Sequence, residues 1–394
     1  MEEKEGKLIA YPLYYLDNLS AEFDANVVYI NEEQNQYHTY LGMTCFYPRG
    51  GGQPGDTGIL GGIPIIDTYK TELGIAHISQ SKPPFLIGDN VQGKVNLPRR
   101  FGFMQNHSGD HLFSGLALKH FGLKNVGFHL SETGMTMDFD RNIGHEDVLK
   151  LENEANEIIW KNIPIEITQS PFKEVECLEF RSKRHFDEND EVRLVKIGDY
   201  DLCACAGLHV RSTAEIAIMR ITNIQKHKRG VRLFALCGKD ALKDYQLKDT
   251  EIAASTRLLS ANYLNLSGSI QRLMDEKYDL IGRINELQEK LFVYIAEEIN
   301  DNTNIYWKFM EDVGMNEARK FSRILAKKVK FSIIFIGSEG GYSYIIAGSE
   351  DALPDFVTKF NGLLNGKGGI SGNVAQGGIR ASRAAIEATL KVLE

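Results

Sequence analysis

The stretch Arg99-Arg-Phe-Gly-Phe-Met-Gln-Asn-His-Ser-Gly-Asp-His-Leu-Phe-Ser-Gly-Leu-Ala-Leu-Lys-His-Phe121 determines how the middle of the chain is organised. Its large apolar residues recur at helical spacing: Phe103, Leu112, Leu116, Leu118 and Phe121. The spacing predicts a helix from Arg99 to Phe121. His107 and His111 stand at i and i+4 within it, on one face, so both imidazoles can reach one metal ion.

A second pair of potential ligands follows in Cys203-Ala-Cys-Ala-Gly-Leu-His209, where Cys205 and His209 also stand at i and i+4. One Cys and three His form a tetrahedral donor set that suits zinc by softness and geometry. The alternative is two surface His and a buried Cys that packs as a small hydrophobe. The sequence favours zinc. It leaves open whether the ion closes a structural site or keeps a position for water.

The composition is that of a soluble globular protein of 394 residues, with 43% hydrophobic and 25% charged residues. The charged N-terminus, Met1–Lys7, lacks the apolar core of a signal peptide. Cys203 and Cys205 are too close to form a disulfide comfortably and the other three cysteines are scattered, which fits a reducing cytoplasm. A net charge of −8 argues against nonspecific coating of nucleic acid but allows a focused basic surface. Four basic clusters are candidates: Arg99-Arg100, Arg181–His185, Lys226–Arg229 and Arg319–Lys330.

The local patterns predict an α+β chain in four parts: a small β-barrel-like domain (1–95), a zinc-binding α+β domain (96–240), a helical, coiled-coil-like linker (241–300) and a C-terminal α/β domain (301–394). In the first part, Asn26–Ile30 and Tyr37–Leu41 predict a hairpin, and a further strand pair is expected around Ile63 and Ala76. The expected elements of the second part are the strands Met135–Asp140, Ile163–Gln169, Glu191–Ile197, Ala214–Ile224 and Gly230–Gly238, with a helix at Glu146–Asn162.

A leucine repeat runs through the linker, which is predicted to be helical from about Lys239 to Ile299: Leu266, Leu273, Leu280 and Leu287. Ile270, Ile284 and Leu291 occupy the intervening positions, and Lys277 interrupts this second set. Such a seam predicts either an intramolecular helical hairpin or a paired coiled coil. The second case would give a homodimer, through the linker or the C-terminal domain. One long helix packed on its own domain is the alternative.

The C-terminal part predicts two strands, Phe331–Ile336 and Tyr342–Ala347, joined by a turn at 338–341. Helices are expected at Asp355–Leu364 and Ser382–Leu393. Between them lies a glycine-dense loop, Gly366–Gly378, that is either flexible or able to cradle phosphate. Lys367 in this loop favours contact with RNA.

Another glycine-rich loop, Gly50-Gly-Gly-Gln53, lies in the first domain. Three successive residues without a Cβ allow its backbone to approach a ligand closely, and Gln53 offers both a donor and an acceptor. An ordinary glycine turn is the alternative. Thr44, beside an aromatic stretch, is expected to be partly buried with a hydroxyl that needs a partner.

Three motifs together resemble a known family: Thr44-x-Phe-Tyr-Pro-x-Gly-Gly-Gly-Gln, His107-x-x-x-His111 and Cys205-x-Gly-x-His-Val210. They resemble the editing domain of alanyl-tRNA synthetase, and most of all its free-standing relatives, the alanyl-tRNA editing proteins of the AlaX type. The loop Gly366–Gly378 is similar to the DHHA1 module, so with the linker the whole chain looks like the long form of the family.

The resemblance implies a hydrolase that deacylates tRNA(Ala) wrongly charged with serine, and often glycine, while sparing alanine. It implies that one zinc ion is held by His107, His111, Cys205 and His209. Thr44 and Gln53 would act in the amino-acid pocket, walled by Gly50, Gly51 and Gly52.

The sequence departs from the family in that Ser108 replaces a common Thr, Leu208 replaces another, and Ser371-Gly-Asn373 follows the C-terminal glycines. The side chain of Leu208 has no hydroxyl and therefore cannot make the hydrogen bond that a Thr at this position would make. A zinc-containing tRNA-binding protein without catalysis is the alternative function. A phosphoesterase is disfavoured because the chain has no Asp-His-His trio.

Overall fold

The computed structural model describes residues 10–311, 313–338 and 340–394. The motif Met1–Lys7 and Glu339 of the predicted turn lie outside these residues. The chain divides into two compact units, residues 1–253 and 254–394. The finer division into four parts stays a prediction. Within the ranges described, no helix is long and apolar enough to cross a membrane.

A curved seven-stranded sheet dominates the beginning of the first unit. Its elements are β1 Tyr11–Pro12, α1 Leu13–Leu16, β2 Glu22–Glu33, β3 Gln36–Leu41, β4 Met43–Thr44, β5 Gly58–Leu60, β6 Ile63–Ile65, β7 Asp67–Lys70, β8 Ile75–Ser79 and β9 Asn90–Val95. The strand order is β6-β5-β9-β2-β3-β8-β7, while β1 and β4 pair separately. The Ile66 amide, which follows edge strand β6, donates to the Ile78 carbonyl on β8 at 2.8 Å. The sheet thus curls back on itself, as a barrel-like domain requires.

The hairpin of β2 and β3 forms as predicted, with Val27 opposite Leu41. The expected pairing of the strands around Ile63 and Ala76 was wrong. β6 pairs with β5, and β8 pairs with β3 and β7. β6 and β8 are therefore not partners of each other. Strand pairing depends on the tertiary structure, and the distance between the two segments along the sequence does not predict it.

Helix α2, Leu97–Phe121, lies at the centre of the first unit. Asn96 caps its first turn by accepting a hydrogen bond from the Arg99 amide, and Gly122 ends it at a φ of 61°. Every residue from Phe103 to Ala117 is buried. The polar residues of this stretch therefore face the interior, where each needs a partner.

The rest of the first unit surrounds this helix: β10 Asn125–Ser131, β11 Gly134–Phe139, α3 His145–Trp160, β12 Ile165–Pro171, α4 Phe172–Val175, β13 Glu191–Ile197, β14 Asp201–Ala204, β15 Met219–His227 and β16 Gly230–Cys237. These strands form two sheets, β10-β11-β16-β15 and β12-β13-β14. The strand predicted from Ala214 begins only at Met219, because Thr213–Ile216 forms a 3-10 turn.

The second unit is an α/β layer structure. Its elements are α6 Leu266–Glu297, β17 Ile305–Met310, α7 Met315–Leu325, β18 Phe331–Ser338, β19 Gly341–Gly348, α8 Leu353–Leu364, β20 Lys367–Ser371, β21 Val374–Ile379 and α9 Arg383–Leu393. The sheet order is β17-β18-β19-β21-β20. The end of α6 and α7 pack on one face, and α8 and α9 on the other. The linker is not one helix, because α5, Gly238–Leu258, ends before α6 begins.

The prediction of a glycine-dense loop at 366–378 was wrong, because this segment is the hairpin of β20 and β21. A Cβ on Gly368 or on Gly377 would lie 2.4 Å from the Tyr344 hydroxyl oxygen. The glycines thus make room for an aromatic residue of the neighbouring strand. They were mistaken for a flexible loop because that requirement comes from β19, not from the local sequence.

Candidate metal centre

The two predicted ligand pairs meet in the first unit. His107 and His111 come from one face of α2, whereas Cys205 and His209 lie on the loop that follows β14. One ligand atom from each of the four residues lies within 4.8 Å of the other three. The second pair reaches the site from an irregular loop, so its i, i+4 spacing does not reflect a helix.

Each imidazole is held through its Nδ1 atom. The three partners are the Gln53 Oε1 atom at 3.3 Å from His107, the Asp201 Oδ2 atom at 3.1 Å from His111, and the Ser108 Oγ atom at 3.3 Å from His209. This leaves the Nε2 atoms for the centre of the cluster. The Nε2 atom of His209 is buried and has no hydrogen-bond partner among the described residues. Outer-shell contacts of this kind orient metal-binding histidines.

The electrostatics of the cluster favour a thiolate. Burial alone would raise the pKa of the Cys205 thiol, but the adjacent His107 charge and polar interactions with the surrounding imidazoles lower it well below its usual range. Burial and the neighbouring imidazoles lower the pKa of His209. Burial also opposes the charge of His111, but Asp201 and the nearby thiols outweigh it and raise the pKa of His111. A metal ion that binds there must displace this proton.

The ligand loop approaches His107 very closely at Gly207. A Cβ at this position would lie 2.1 Å from the His107 Cε1 atom. The Gly207 amide donates to the Cys205 Sγ atom at 3.4 Å. Only a residue without a side chain therefore allows the loop to pass beside the imidazole.

Side chains from distant parts of the chain hold the carbonyls of this loop. Arg193 donates to the Cys205 and Gly207 carbonyls at 2.7 and 2.9 Å. The Tyr15 hydroxyl donates to the Ala206 carbonyl at 2.8 Å. The protein's own side chains thus hold the loop in place, which is what a preorganised site needs.

Gln53 joins the glycine loop to the cluster. It is 2% exposed, and its Oε1 atom accepts from the Leu208 amide at 3.1 Å as well as contacting His107. Its Nε2 atom is buried without a partner in the part of the chain that the structure describes. The Gly52 backbone, at a φ of 83°, leaves room for the Phe128 ring, which a Cβ would approach to 2.8 Å. Reciprocal backbone hydrogen bonds of 3.0 Å between Gly50 and Gln53 close the loop as a tight glycine turn. Its role as the wall of a pocket stays a prediction.

Thr44 is fully buried, and its hydroxyl oxygen lies 2.8 Å from the Nε2 atom of His77. The Nδ1 atom of His77 contacts the Thr39 carbonyl at 2.9 Å, and that carbonyl can only accept. Nδ1 therefore carries the proton, and Thr44 donates to Nε2. The Phe46 amide donates to the Thr44 oxygen at 3.0 Å. One acceptor lone pair remains, and a role of Thr44 in a pocket stays a prediction.

Lys367 lies on edge strand β20 in the second compact unit, where it is exposed. Its substrate-binding role also stays a prediction. The sequence argument missed Asp201, Arg193 and Phe128, and it noted Ser108 without its contact to His209. Asp201 stands two residues before Cys203 and could have been noticed as a third donor type.

Asp201, Cys203 and His111 form a second group of potential ligands. Arg181 occupies both carboxylate oxygens of Asp201, at 2.6 and 2.8 Å. A cation is therefore disfavoured there. Asp201 orients His111 instead.

Comparison with known proteins shows which proteins the chain resembles. The family model for the threonyl and alanyl tRNA synthetase second additional domain matches residues 192–234, which include Cys205 and His209. The alanyl-tRNA editing protein AlaX-L of Pyrococcus horikoshii is 26% identical over 385 residues, covering 94% of both chains. The predicted resemblance to AlaX-type editing proteins is confirmed. It extends over nearly the whole length of this AlaX-type relative.

The chain also matches part of several alanine–tRNA ligases. The Pyrococcus abyssi enzyme is 27% identical over 424 residues, covering 100% of this chain and 46% of the ligase. The chain thus spans less than half of that relative. The C-Ala domain of Aquifex aeolicus alanyl-tRNA synthetase matches 23% of the chain at 19% identity, with a TM-score of 0.21, which is too low to support a shared fold.

Proposed function

We propose that the protein is a trans-editing hydrolase that deacylates mischarged tRNA(Ala), chiefly Ser-tRNA(Ala) and also Gly-tRNA(Ala). The observation that carries the proposal is the convergence of four metal ligands beside the glycine loop, in a chain similar over 94% of its length to an alanyl-tRNA editing protein. An aminoacyl ester is already labile, so orientation of the ester and of water can supply much of the rate.

One zinc ion per chain would be held by His107, His111, Cys205 and His209. The unpartnered Nε2 atom of His209, the depressed pKa of Cys205 and the Nδ1 contacts all fit this donor set. When bound, zinc supplies positive charge that can orient the aminoacyl end. The ion has two alternative roles: it positions the aminoacyl end only, or it also polarises water or the ester carbonyl.

Two polar side chains of the chain itself would act on the substrate. The buried Nε2 group of Gln53 is a free donor beside His107, so it can hold an oxygen of the aminoacyl ester. Thr44 keeps one acceptor lone pair, which would receive the hydroxyl of the serine moiety. Gly50, Gly51 and Gly52 would form the wall between them.

Discrimination against alanine cannot depend on size, because alanine is smaller than serine. A site that pairs the serine hydroxyl rejects an analogue without it, since its own polar group would then be left unpaired. A buried Thr hydroxyl that His77 holds in one orientation suits this task.

The test is the Cys205→Ala variant, with Cys177→Ala as the matched control because Cys177 is an exposed free thiol. Cys205→Ala should lose bound zinc and deacylation of Ser-tRNA(Ala), and Cys177→Ala should keep both. Full activity of the metal-free protein would contradict a zinc requirement. Lack of turnover on Ser-, Gly- and Ala-tRNA(Ala) despite tRNA binding would favour the alternative, a non-catalytic zinc-containing tRNA-binding protein.

We also propose a homodimer through α6. Six residues of its seam expose 44–59% of their surface: Ile270, Leu273, Leu280, Ile284, Leu287 and Leu291. A different face, with Phe292 and Ala296, packs with α7. With Leu266 and Lys277 included, the eight seam positions are symmetric about their middle. An antiparallel pairing of two copies therefore aligns them all, with Lys277 of one copy opposite Leu280 of the other. That register places Glu276 of each copy beside Arg283 of the other copy, so the dimer contains two such pairs.

A further inference from the structure

The cluster carries an aromatic and a cationic layer on one side. The Phe128 ring stacks on the His107 imidazole, with the ring centroids 4.9 Å apart and the planes at 19°. The Lys183 Nζ atom lies 5.7 Å from the centroid of the Phe128 ring. The positive charge of Lys183 is therefore separated from the potential metal ligand His107 by the Phe128 ring alone.

The arginines near Lys183 are engaged in internal contacts. Arg181 forms a bidentate pair with Asp201, and Arg193 donates to two loop carbonyls. Arg184 lies 3.6 Å from Asp190. Lys183 is exposed, and no carboxylate of the described ranges lies within 4.0 Å of it. Among the lysine and arginine residues of the cluster 181–185, Lys183 is thus the one without a carboxylate partner in the described ranges, and it is free to meet an outside anion.

The position of this charge suits a particular anion. If the aminoacyl ester lies at the four-ligand cluster, as the proposed function requires, the terminal ribose of the tRNA lies there too. The backbone phosphates of the last nucleotides are then the nearest substrate anions. A lysine ammonium binds phosphate as a point charge and needs no fixed plane.

We propose that Lys183, restrained over Phe128, binds a backbone phosphate at the 3′ end of the tRNA and so positions the ester at the cluster. The inference rests on the proposed function. Lys183 is a positioning residue, because it contacts the polynucleotide and not the reacting atoms.

The test compares Lys183→Ala, Lys183→Arg and the control Lys196→Ala. Lys196 is exposed on β13 and lies 4.0 Å from Glu166. Binding of uncharged tRNA(Ala) is measured over a range of salt concentrations, with zinc content as a check on the fold of the site. Lys183→Ala should weaken binding about five- to tenfold at low salt and reduce the slope of log K against log salt by about 0.7. Lys183→Arg should restore the slope.

Turnover provides a second, independent measure. Lys183→Ala should raise KM for Ser-tRNA(Ala) and leave hydrolysis of a seryl ester of adenosine, which has no phosphate, unchanged. Tight binding and an unaltered salt slope in Lys183→Ala, equal to those of Lys196→Ala, would overturn the inference. If the wild-type protein hydrolyses neither ester, the proposed function fails, while the binding slopes still decide whether Lys183 contacts phosphate.

Discussion

Gly207→Ala tests the geometry of the metal centre most directly. The new Cβ would lie 2.1 Å from the His107 Cε1 atom and 2.5 Å from its Nδ1 atom. Carbon atoms in ordinary contact are about 3.5–4.0 Å apart, so the ring or the loop must move by more than about 1 Å. Metal–ligand distances tolerate only about 0.2 Å. His107 or Cys205 would therefore leave the coordination shell.

The expected loss of zinc affinity follows from the number of ligands. Structural zinc sites bind with about 10–16 kcal/mol, so the loss of one of four ligands costs about 3 kcal/mol. This corresponds to roughly a hundredfold weaker zinc binding. Deacylation of Ser-tRNA(Ala) should fall with zinc occupancy.

The assay is competition for zinc with a chelator of known affinity. Gly50→Ala is the matched control, because its Cβ would meet no atom closer than the Tyr47 hydroxyl at 3.7 Å. Gly50→Ala also adds one methyl group, but it does so in the glycine loop Gly50–Gln53 of the first unit and not in the ligand loop. Equal zinc affinity in Gly207→Ala and Gly50→Ala would refute the reasoning, since His107 could then not lie where the structure has it.

Three further outcomes are expected. Thr44→Val should reduce the ratio of Ser-tRNA(Ala) to Ala-tRNA(Ala) deacylation about tenfold; an unchanged ratio removes Thr44 from serine recognition. Burial lowers the pKa of His77 from 6.5 to about 4, so the unfolded state binds more protons between these values. The free energy of unfolding should fall by up to about 3 kcal/mol as the pH drops through this window, and His77→Gln should flatten that dependence in denaturant titrations. Glu276→Arg should weaken the dimer in light scattering, and Glu276→Arg with Arg283→Glu should restore it; a wild-type monomer at all concentrations contradicts the pairing.

The local sequence predicted most of the elements near the site. The helix predicted from Arg99 to Phe121 forms from Leu97 to Phe121, and the strand predicted at Glu191–Ile197 forms with the same bounds. These segments combine strong periodicity with clear ends. β17 and α7 were missed, and the hairpin of β20 and β21 was taken for a loop. Glycine gives no positive signal for a strand, so only the packing of Tyr344 reveals why glycines stand there.

The sequence by itself determined which residues could bind a metal, because spacing along one helix places His107 and His111 on a common face. It could not bring Cys205 and His209 to that face. Their approach depends on a loop whose carbonyls are held by Arg193 and whose close passage requires Gly207. Orientation of the imidazoles is likewise a tertiary property, since residues far apart in the chain hold their Nδ1 atoms. Contacts between distant segments have no local signature, and for that reason only the folded structure shows the site.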